Sequence, residues 1–309
     1  MRAVICTRYG PPEVLQLADV ERPTPRRNQI RIRIFATSVN FSDILARGLK
    51  VPRRYRIPFR LLAGWTAPRR RILGMVLSGA VESVGRNVTS FKAGDQVFGM
   101  SRWVVGTYAE EVCWSANTLL ALRPKNLSDA EAAALPYGGL LAMHCLRKAN
   151  IQRGQRVLIY GASGAIGTAA VQLAKHFGAS VTGVCSTTNV ALVESLGADA
   201  VVDYTREDFT SRGEHYDCIL DAVGRRKSAA AMRDAERALT TGGRCRSIDD
   251  DFPMPTQQDL DLLKRLAESG ALLPVIDRRY RLEEIVEAHR YVELGHKKGN
   301  VIVTVGSRS

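Results

Sequence analysis

The spacing of hydrophobic and polar positions changes near the middle of the chain. Up to about residue 120 the pattern indicates short strands: residues 31–35 alternate between polar and apolar side chains, and residues 79–85 form a mostly apolar run that ends in glycine. Alternation of this kind is typical of a half-buried β-strand, and glycine marks a strand end. The sequence therefore predicts a strand-rich N-terminal region.

From Ser128 onward, helical spacing alternates with short apolar runs. Ser128, followed three residues later by Glu131, is an N-cap signal. We predict helices over residues 140–150, 165–177, 190–196, 227–239 and 256–266, and strands over residues 156–160, 180–184, 200–202, 216–222 and 244–247. Strands and helices in this order form a parallel, doubly wound sheet, so the predicted fold class is α/β.

The last elements of the chain have no place in that sheet. Residues 282–294 form an amphipathic pattern that Gly295 ends, and residues 300–305 are a β-branched strand. We expect both elements to return to the first domain. The predicted domains cover residues 1–122 and residues 123–269, and the returning C-terminal segment covers residues 270–309.

The strand at residues 156–160 runs directly into a glycine-rich turn and then a helix. Gly161 and Gly164 let the backbone turn and approach phosphates, and Gly167 lets helix and strand pack closely. The first amides of the helix then face the anion. An ordinary strand–helix turn is the alternative. The predicted pyrophosphate site consists of Gly161, Ser163, Gly164, Ala165, Ile166 and Gly167.

The turn after the second strand of this sheet indicates which dinucleotide binds. NAD is commonly held there by a carboxylate, which would repel a 2′-phosphate. Here the first acid after the strand, Glu194, falls inside the next helix. We therefore predict NADP(H), with Ser186, Thr187 and Asn189 as hydrogen-bond donors to the phosphate. No basic residue lies in the same turn, so a positive charge has to come from elsewhere.

Composition and charge narrow the class of protein. With 309 residues, 45% hydrophobic and 24% charged, the chain fits a soluble globular protein of about two domains. The lack of an apolar run of about eighteen residues and of a signal-peptide pattern predicts a cytoplasmic protein. The six cysteines form no CxxC pair, which argues against disulfide frameworks and cysteine zinc clusters.

The net charge of +13 is spread along the chain, and its densest part is the arginine-rich segment 49–71. We predict a solvated loop that borders the substrate cleft and expect no nucleic-acid partner. Because the segment also carries apolar side chains such as Trp65, contact with an anionic membrane surface is the alternative.

Motifs through the whole chain point to one family. Besides the glycine loop they occupy residues 40–43, 72–75 with 78–79, 91–98, 106–110, 135–138, 196–204 and 295–300. In this order they resemble the zinc-free, ζ-crystallin-like quinone oxidoreductases of the medium-chain dehydrogenase/reductase superfamily. The resemblance implies a GroES-like catalytic domain beside a Rossmann domain, with the nicotinamide in the cleft between them. It also implies NADPH-dependent reduction of quinones or other conjugated carbonyl compounds.

The resemblance assigns cofactor roles by position. Residues 164–167 would contact the pyrophosphate, Ser186 and Asn189 the adenosine phosphate, and Tyr204 the adenine side. Simple packing at a strand end is the alternative for Tyr204.

The resemblance assigns catalytic roles in the same way. Asn40 and Asp43 would lie beside the nicotinamide and the substrate. Asn300, a cofactor-binding candidate, would approach from the C-terminal segment. Besides Asn40, the candidate hydrogen-bond donors to the substrate are hydroxyl groups. These belong to Tyr55, which we include among the catalytic candidates, Tyr108 and Tyr137.

The alcohol dehydrogenase branch of this superfamily uses zinc, but the corresponding positions here hold Phe41, Ser42, Met75 and Val76. None of these binds zinc. We therefore predict no metal and direct hydride transfer from NADPH to a small-molecule quinone or α,β-unsaturated carbonyl compound. The alternatives are an enoyl-thioester reductase of the same superfamily and a nucleotide- or nucleic-acid-binding protein with little turnover.

The segment after Ser247 is shorter than is usual in this family. Relatives commonly have a further strand there, which pairs across a dimer interface. Residues 248–256 therefore predict a sheet that lacks its last edge strand, and they leave homodimer formation open.

Overall fold

The computed structural model describes residues 1–49, 56–101 and 105–306. The chain forms two compact units: Met1–Pro136 together with Ile276–Ser309, and Tyr137–Val275. In the described parts of the chain, no helix is long and apolar enough to span a membrane.

The first unit is mainly β-structure. Its strands before residue 137 are β1 (Arg2–Cys6), β2 (Leu15–Asp19), β3 (Gln29–Val39), β4 (Val76–Val84), β5 (Gln96–Met100), β6 (Glu111–Ser115) and β7 (Leu119–Leu122). The predicted alternation is confirmed in β3, where Ile30, Ile32 and Ile34 are buried in the core while Arg31 and Arg33 are more exposed. This pattern places one face of the sheet against the core.

Helices α1 (Phe41–Gly48), α2 (Arg56–Ala63) and α3 (Asp129–Ala134) also belong to the first unit. The predicted N-cap at Ser128 is confirmed. The Glu131 amide donates to the Ser128 hydroxyl at 3.3 Å, and the Glu131 carboxylate accepts from the Ser128 amide at 2.8 Å. This reciprocal pair is a capping box, which satisfies two backbone donors at the helix start.

The second unit is a parallel sheet with helices between its strands. The strands are β8 (Arg156–Tyr160), β9 (Ser180–Cys185), β10 (Ala200–Asp203), β11 (Tyr216–Asp221) and β12 (Leu239–Ser247). The helices are α4 (Pro136–Lys148), α5 (Ala165–His176), α6 (Val190–Ser195), α7 (Arg225–Ser228) and α8 (Gln257–Glu268). The sheet order is β10-β9-β8-β11-β12, with every pair parallel, which confirms the predicted doubly wound sheet. Among the described residues, no strand continues this sheet beyond β12, as segment 248–256 predicts.

The predicted helix over residues 227–239 is wrong for most of its length. Helix α7 ends at Ser228, turns follow, Ala235–Ala238 is a 3-10 helix, and β12 already begins at Leu239. The buried Ser228 hydroxyl donates to the Asp221 carboxylate at 2.6 Å and anchors this segment to the end of β11. Such an anchor is a tertiary contact, which helix propensity does not report.

The C-terminal elements join the sheet of the first unit. They are β13 (Ile276–Arg281), α9 (Ile285–Leu294) and β14 (Asn300–Thr304). Strand β14 pairs antiparallel with β3, with Val301 opposite Val39, and parallel with β13. The larger sheet of this unit therefore has the order β13-β14-β3-β4-β5-β7, and β6 also pairs with β3. Gly295 ends α9 with a φ of 80°, as the sequence predicts.

Candidate active site

Two glycines shape the turn between β8 and α5. Gly161 has a φ of +80°, and a Cβ there would lie 2.4 Å from the side chain of Val223. A Cβ on Gly167 would lie 2.1 Å from the Gly161 carbonyl oxygen and 2.7 Å from the Ala162 Cα. Both positions therefore require glycine, the first for its backbone angle and its close packing, the second because helix and strand approach each other closely.

Gly164 has a different environment. It is the N-cap of α5 with ordinary extended backbone angles, and no side chain caps the helix. A Cβ there would meet only the Gly161 carbonyl oxygen, at 3.6 Å, so the space in front of the helix is open. The amides of Ala165, Ile166 and Gly167 form the first turn, where no helical carbonyl precedes them. An uncapped helix N-terminus with this open approach fits a pyrophosphate.

A hydrogen-bond network joins the glycine turn to the residues after β9. The Asn189 amide nitrogen donates to the hydroxyls of Ser163 and Ser186, each at 3.1 Å. Asn189 is buried, and its side-chain oxygen has no hydrogen-bond partner among the described residues. The structure thus brings three of the predicted cofactor residues together.

Thr187 faces an acid that the sequence analysis did not identify. Its hydroxyl donates to the Asp203 carboxylate at 2.5 Å and lies 2.9 Å from the Thr205 hydroxyl. Arg206 Nε lies 3.5 Å from the same Asp203 oxygen. The turn after β9 therefore has both an acid and a base beside it, contributed by the end of β10. The sequence signal that could have revealed this acid and this base was the predicted adjacency of β9 and β10. Neighbouring parallel strands end at the same edge of a sheet, so residues that follow β10 lie near the turn after β9.

Tyr204 follows β10 at this same edge. The residue is 52% exposed, and its ring centroid lies 6.4 Å from that of Tyr160. Its amide donates to the Cys185 carbonyl at 3.1 Å, which fixes the backbone against the end of β9. The Tyr204 ring therefore packs beside the Tyr160 ring, while about half of the residue is open to a ligand.

Asn40 and Asp43 lie at the start of α1 in the first unit. The Asn40 amide donates to the Asp43 carboxylate at 2.8 Å, and the Asn40 side chain donates to the Ser38 hydroxyl at 3.0 Å. Both residues are almost fully buried. Burial raises the pKa of Asp43 to about 7, although the hydrogen bond from Asn40 opposes part of this rise.

A buried polar cluster lies one turn further along α1, around Arg47. The Arg47 guanidinium donates to Glu293 of α9 at 2.6 Å, and Arg47 and His289 are both inaccessible to solvent. Burial lowers the pKa of His289 to about 3, and the Arg47 charge adds to this effect. His289 is therefore neutral at physiological pH, and its ring packs edge-on against Tyr108 at 5.6 Å.

The remaining predicted site residues occupy different environments. Asn300 begins β14 and is buried. Tyr108 and Tyr137 are buried as well, and Tyr55 lies outside the described residues. Within the described ranges, no group of three or more His, Cys, Asp or Glu side chains is arranged to hold a metal ion.

Comparison with known proteins identifies related families and folds. Residues 26–124 match the family described as alcohol dehydrogenase GroES-like domain, and residues 196–303 match the family described as zinc-binding dehydrogenase. The quinone oxidoreductase of Coxiella burnetii has a similar structure, with a TM-score of 0.84, 28% identity and 99% of each chain covered.

Two curated plant proteins match over nearly the whole chain. The chain is 33% identical to 2-methylene-furan-3-one reductase of Solanum lycopersicum and 30% identical to the chloroplastic NADPH-dependent alkenal/one oxidoreductase of Arabidopsis thaliana. Each match covers 98% of this chain and 79% of the relative. With its glycine turn, GroES-like region and parallel sheet, the chain belongs to the medium-chain dehydrogenase/reductase superfamily, alongside its quinone and alkenal oxidoreductases.

Proposed function

We propose that the protein is an NADPH-dependent oxidoreductase that reduces a quinone or an α,β-unsaturated carbonyl compound. The observation that carries the proposal is the uncapped N-terminus of α5 behind Gly164, with Ser163, Ser186 and Asn189 joined beside it. The names of the relatives support the same cofactor and acceptor class. When bound, the cofactor supplies the hydride.

The residues of the second unit bind and orient the cofactor in this proposal. The amides of Ala165, Ile166 and Gly167 hold the pyrophosphate, because they are oriented donors at the positive end of the α5 dipole. Ser186 and Asn189 contact the adenosine phosphate, and the exposed part of the Tyr204 ring stacks on the adenine. These contacts fix the position of the nicotinamide.

The residues of the first unit hold the acceptor. A quinone or enone accepts a hydride readily because the negative charge delocalises onto a carbonyl oxygen, so the chief needs are positioning and a hydrogen-bond donor. Asn40 is the proposed donor, and Tyr55 stays a candidate for a further contact with the acceptor. Asn300 stays a candidate for contact with the cofactor. Asp43 acts as a positioning residue, because its carboxylate holds the Asn40 backbone.

We propose that the reaction proceeds without zinc. One matched family is named for zinc. However, Phe41, Ser42, Met75 and Val76 stand at the positions where the alcohol dehydrogenase branch has its ligands. These side chains do not bind zinc. A preparation treated with a chelator and then dialysed is expected to keep its full rate.

The direct test is the oxidation of NADPH and NADH with a panel of quinones, alkenals and enoyl-CoA thioesters. We expect turnover with quinones or alkenals and a preference for NADPH. Turnover confined to enoyl-CoA thioesters would show that the enzyme is an enoyl-thioester reductase. No turnover with any acceptor, together with RNA affinity that falls steeply with salt, would favour a binding protein.

The Asn40→Ala variant tests the proposed donor. We expect kcat to fall at least tenfold with the best acceptor, because one oriented hydrogen bond to the developing oxyanion is lost. Asn87→Ala is the control, since Asn87 makes an exposed side-chain hydrogen bond to Asn28. A kcat within twofold of the wild type for Asn40→Ala would contradict the assignment.

A further inference from the structure

An ion pair lies where an adenosine 2′-phosphate would have to be recognised. Asp203 is the last residue of β10, and its carboxylate oxygen accepts the Thr187 hydroxyl at 2.5 Å and lies 3.5 Å from Arg206 Nε. Because the Thr187 hydrogen is donated to Asp203, this hydroxyl does not serve as a donor to a phosphate while that bond persists. Both hydrogens of the Asn189 side-chain amide are donated as well, to Ser163 and Ser186. The neutral donor left in the turn is therefore the Ser186 hydroxyl.

The two charges of this pair have opposite effects on a phosphate. The hydrogen bond from Thr187 is the largest of the effects that lower the pKa of Asp203, so the carboxylate is ionised at neutral pH. A carboxylate at this edge repels a 2′-phosphate and accepts hydrogen bonds from ribose hydroxyls. The Arg206 guanidinium, in contrast, attracts the phosphate and is suited to paired hydrogen bonds.

Exposure distinguishes the two partners. The Arg206 side chain is 75% exposed, whereas that of Asp203 is only 12% exposed. The solvent-exposed part of the Arg206 guanidinium is therefore available to a ligand. Its Nε atom faces the less exposed Asp203 carboxylate. Tyr204, which directly follows Asp203, is half-exposed at the same place, which suits an adenine next to the phosphate.

We propose that Arg206 binds the 2′-phosphate of NADPH and that Asp203, by opposing the same phosphate, keeps the preference for NADPH over NADH modest. This inference rests on the proposed function, since it assigns residues to the cofactor named there. Arg206 supplies the positive charge that the turn after β9 lacks in the sequence. When NADH binds, Arg206 stays paired with Asp203.

Binding of nucleotide fragments tests the inference without turnover. The probes are adenosine 2′,5′-bisphosphate and 5′-AMP, which differ in the 2′-phosphate, and the measurement is isothermal titration calorimetry. We expect the wild type to bind the bisphosphate more tightly than 5′-AMP. Arg206→Ala should weaken bisphosphate binding about tenfold and leave 5′-AMP binding within twofold, as expected for the loss of a charged phosphate contact.

The second variant should change binding in the opposite direction. Asp203→Asn removes the charge and keeps an oxygen that can accept from Thr187, so we expect bisphosphate binding to strengthen several-fold. Arg237→Ala is the matched control. Arg237 is 76% exposed and pairs with Asp234, three residues earlier, at 3.4 Å, but it precedes β12 at the opposite edge of the sheet from β10. We expect Arg237→Ala to leave the affinities for adenosine 2′,5′-bisphosphate and for 5′-AMP unchanged.

The outcomes separate this inference from the proposed function. If the wild type binds both probes equally, the NADPH preference is wrong and the role of Arg206 is wrong with it. If the wild type prefers the bisphosphate but Arg206→Ala retains that preference in full, Arg206 is not the phosphate ligand, while the proposed function stands. Weaker bisphosphate binding in Asp203→Asn would overturn the opposing role of the carboxylate.

Discussion

Replacing Gly167 by alanine is expected to lower the free energy of unfolding of the second unit by about 3 kcal/mol, the upper range for overpacking. The added methyl group would lie 2.1 Å from the Gly161 carbonyl oxygen and 2.7 Å from the Ala162 Cα, both of which are backbone atoms. Helix α5 would have to move away from the turn. The gain in helix propensity, about 1 kcal/mol, does not offset this strain.

Calorimetric melting of the variant should show the loss as a fall of the transition temperature by roughly 10 °C. Gly164→Ala is the matched control in the same turn, since its methyl group meets only one atom, at 3.6 Å. It should fold with a stability change of about 1 kcal/mol or less and still bind NADPH at least tenfold more weakly, because the methyl group fills the approach to the helix amides. Equal melting temperatures for Gly167→Ala and the wild type, or unchanged NADPH affinity in Gly164→Ala, would contradict this account of the turn.

The stability of the first unit is expected to fall as the pH rises from about 4 to 7, because the unfolded chain releases the Asp43 proton in this range while the buried carboxyl group keeps it. Its pKa rises from 3.8 to about 7 on folding. A group whose pKa is raised in the folded state contributes stability below its unfolded pKa and loses it as the pH passes the folded value. At about 1.4 kcal/mol per pKa unit, the contribution lost is on the order of 4 kcal/mol.

The measurement is the difference in unfolding free energy between the wild type and Asp43→Asn across this pH range. Tryptophan fluorescence reports on the first unit, because Trp65, Trp103 and Trp114 all lie in the sequence of Met1–Pro136. The Asn variant keeps an oxygen that can accept from the Asn40 amide and has no proton to lose. We expect the unfolding free energy of Asp43→Asn to increase relative to that of the wild type as the pH rises.

Asp95→Asn is the control for this experiment. The Asp95 carboxylate accepts a similar backbone hydrogen bond from Lys92, at 2.9 Å, but at the exposed surface of the unit. The variant controls for the exchange of a hydrogen-bonded carboxylate for an amide outside the interior. A pH-independent difference for Asp43→Asn would mean that Asp43 ionises in the folded protein as readily as an exposed carboxylate does.

The fold was predictable from sequence where the hydrophobic pattern of a segment and the general rules of sheet topology point to the same element. The strands of the second unit begin at the predicted residues, except that β12 begins five residues before the predicted residue 244. The parallel order follows because crossovers between parallel strands are short and right-handed. The prediction of a helix over residues 227–239 was wrong because a buried hydrogen bond from Ser228 to Asp221 anchors the start of that segment to the end of β11. Such a bond joins residues from different elements and leaves no periodic signal.

The candidate site divides in the same way. The glycine turn was recognisable from sequence because its requirements are local: a positive φ at Gly161 and a close approach at Gly167. The NADP(H) prediction also came from local residues, in the turn after β9. That turn contains no charge, yet the folded protein places Asp203 and Arg206 beside it, sixteen and nineteen residues after Thr187.

Local chemistry was therefore readable from the order of residues: the glycine-rich strand–turn–helix, the absence of zinc-binding side chains at the expected positions, and the family. The charge around the cofactor turn and the burial of Asp43 were decided by the tertiary structure alone. The physical reason is that a backbone angle depends on the residue and its neighbours in sequence. A local electric field and a pKa depend on which distant groups the fold brings within a few ångströms and on how much water it removes.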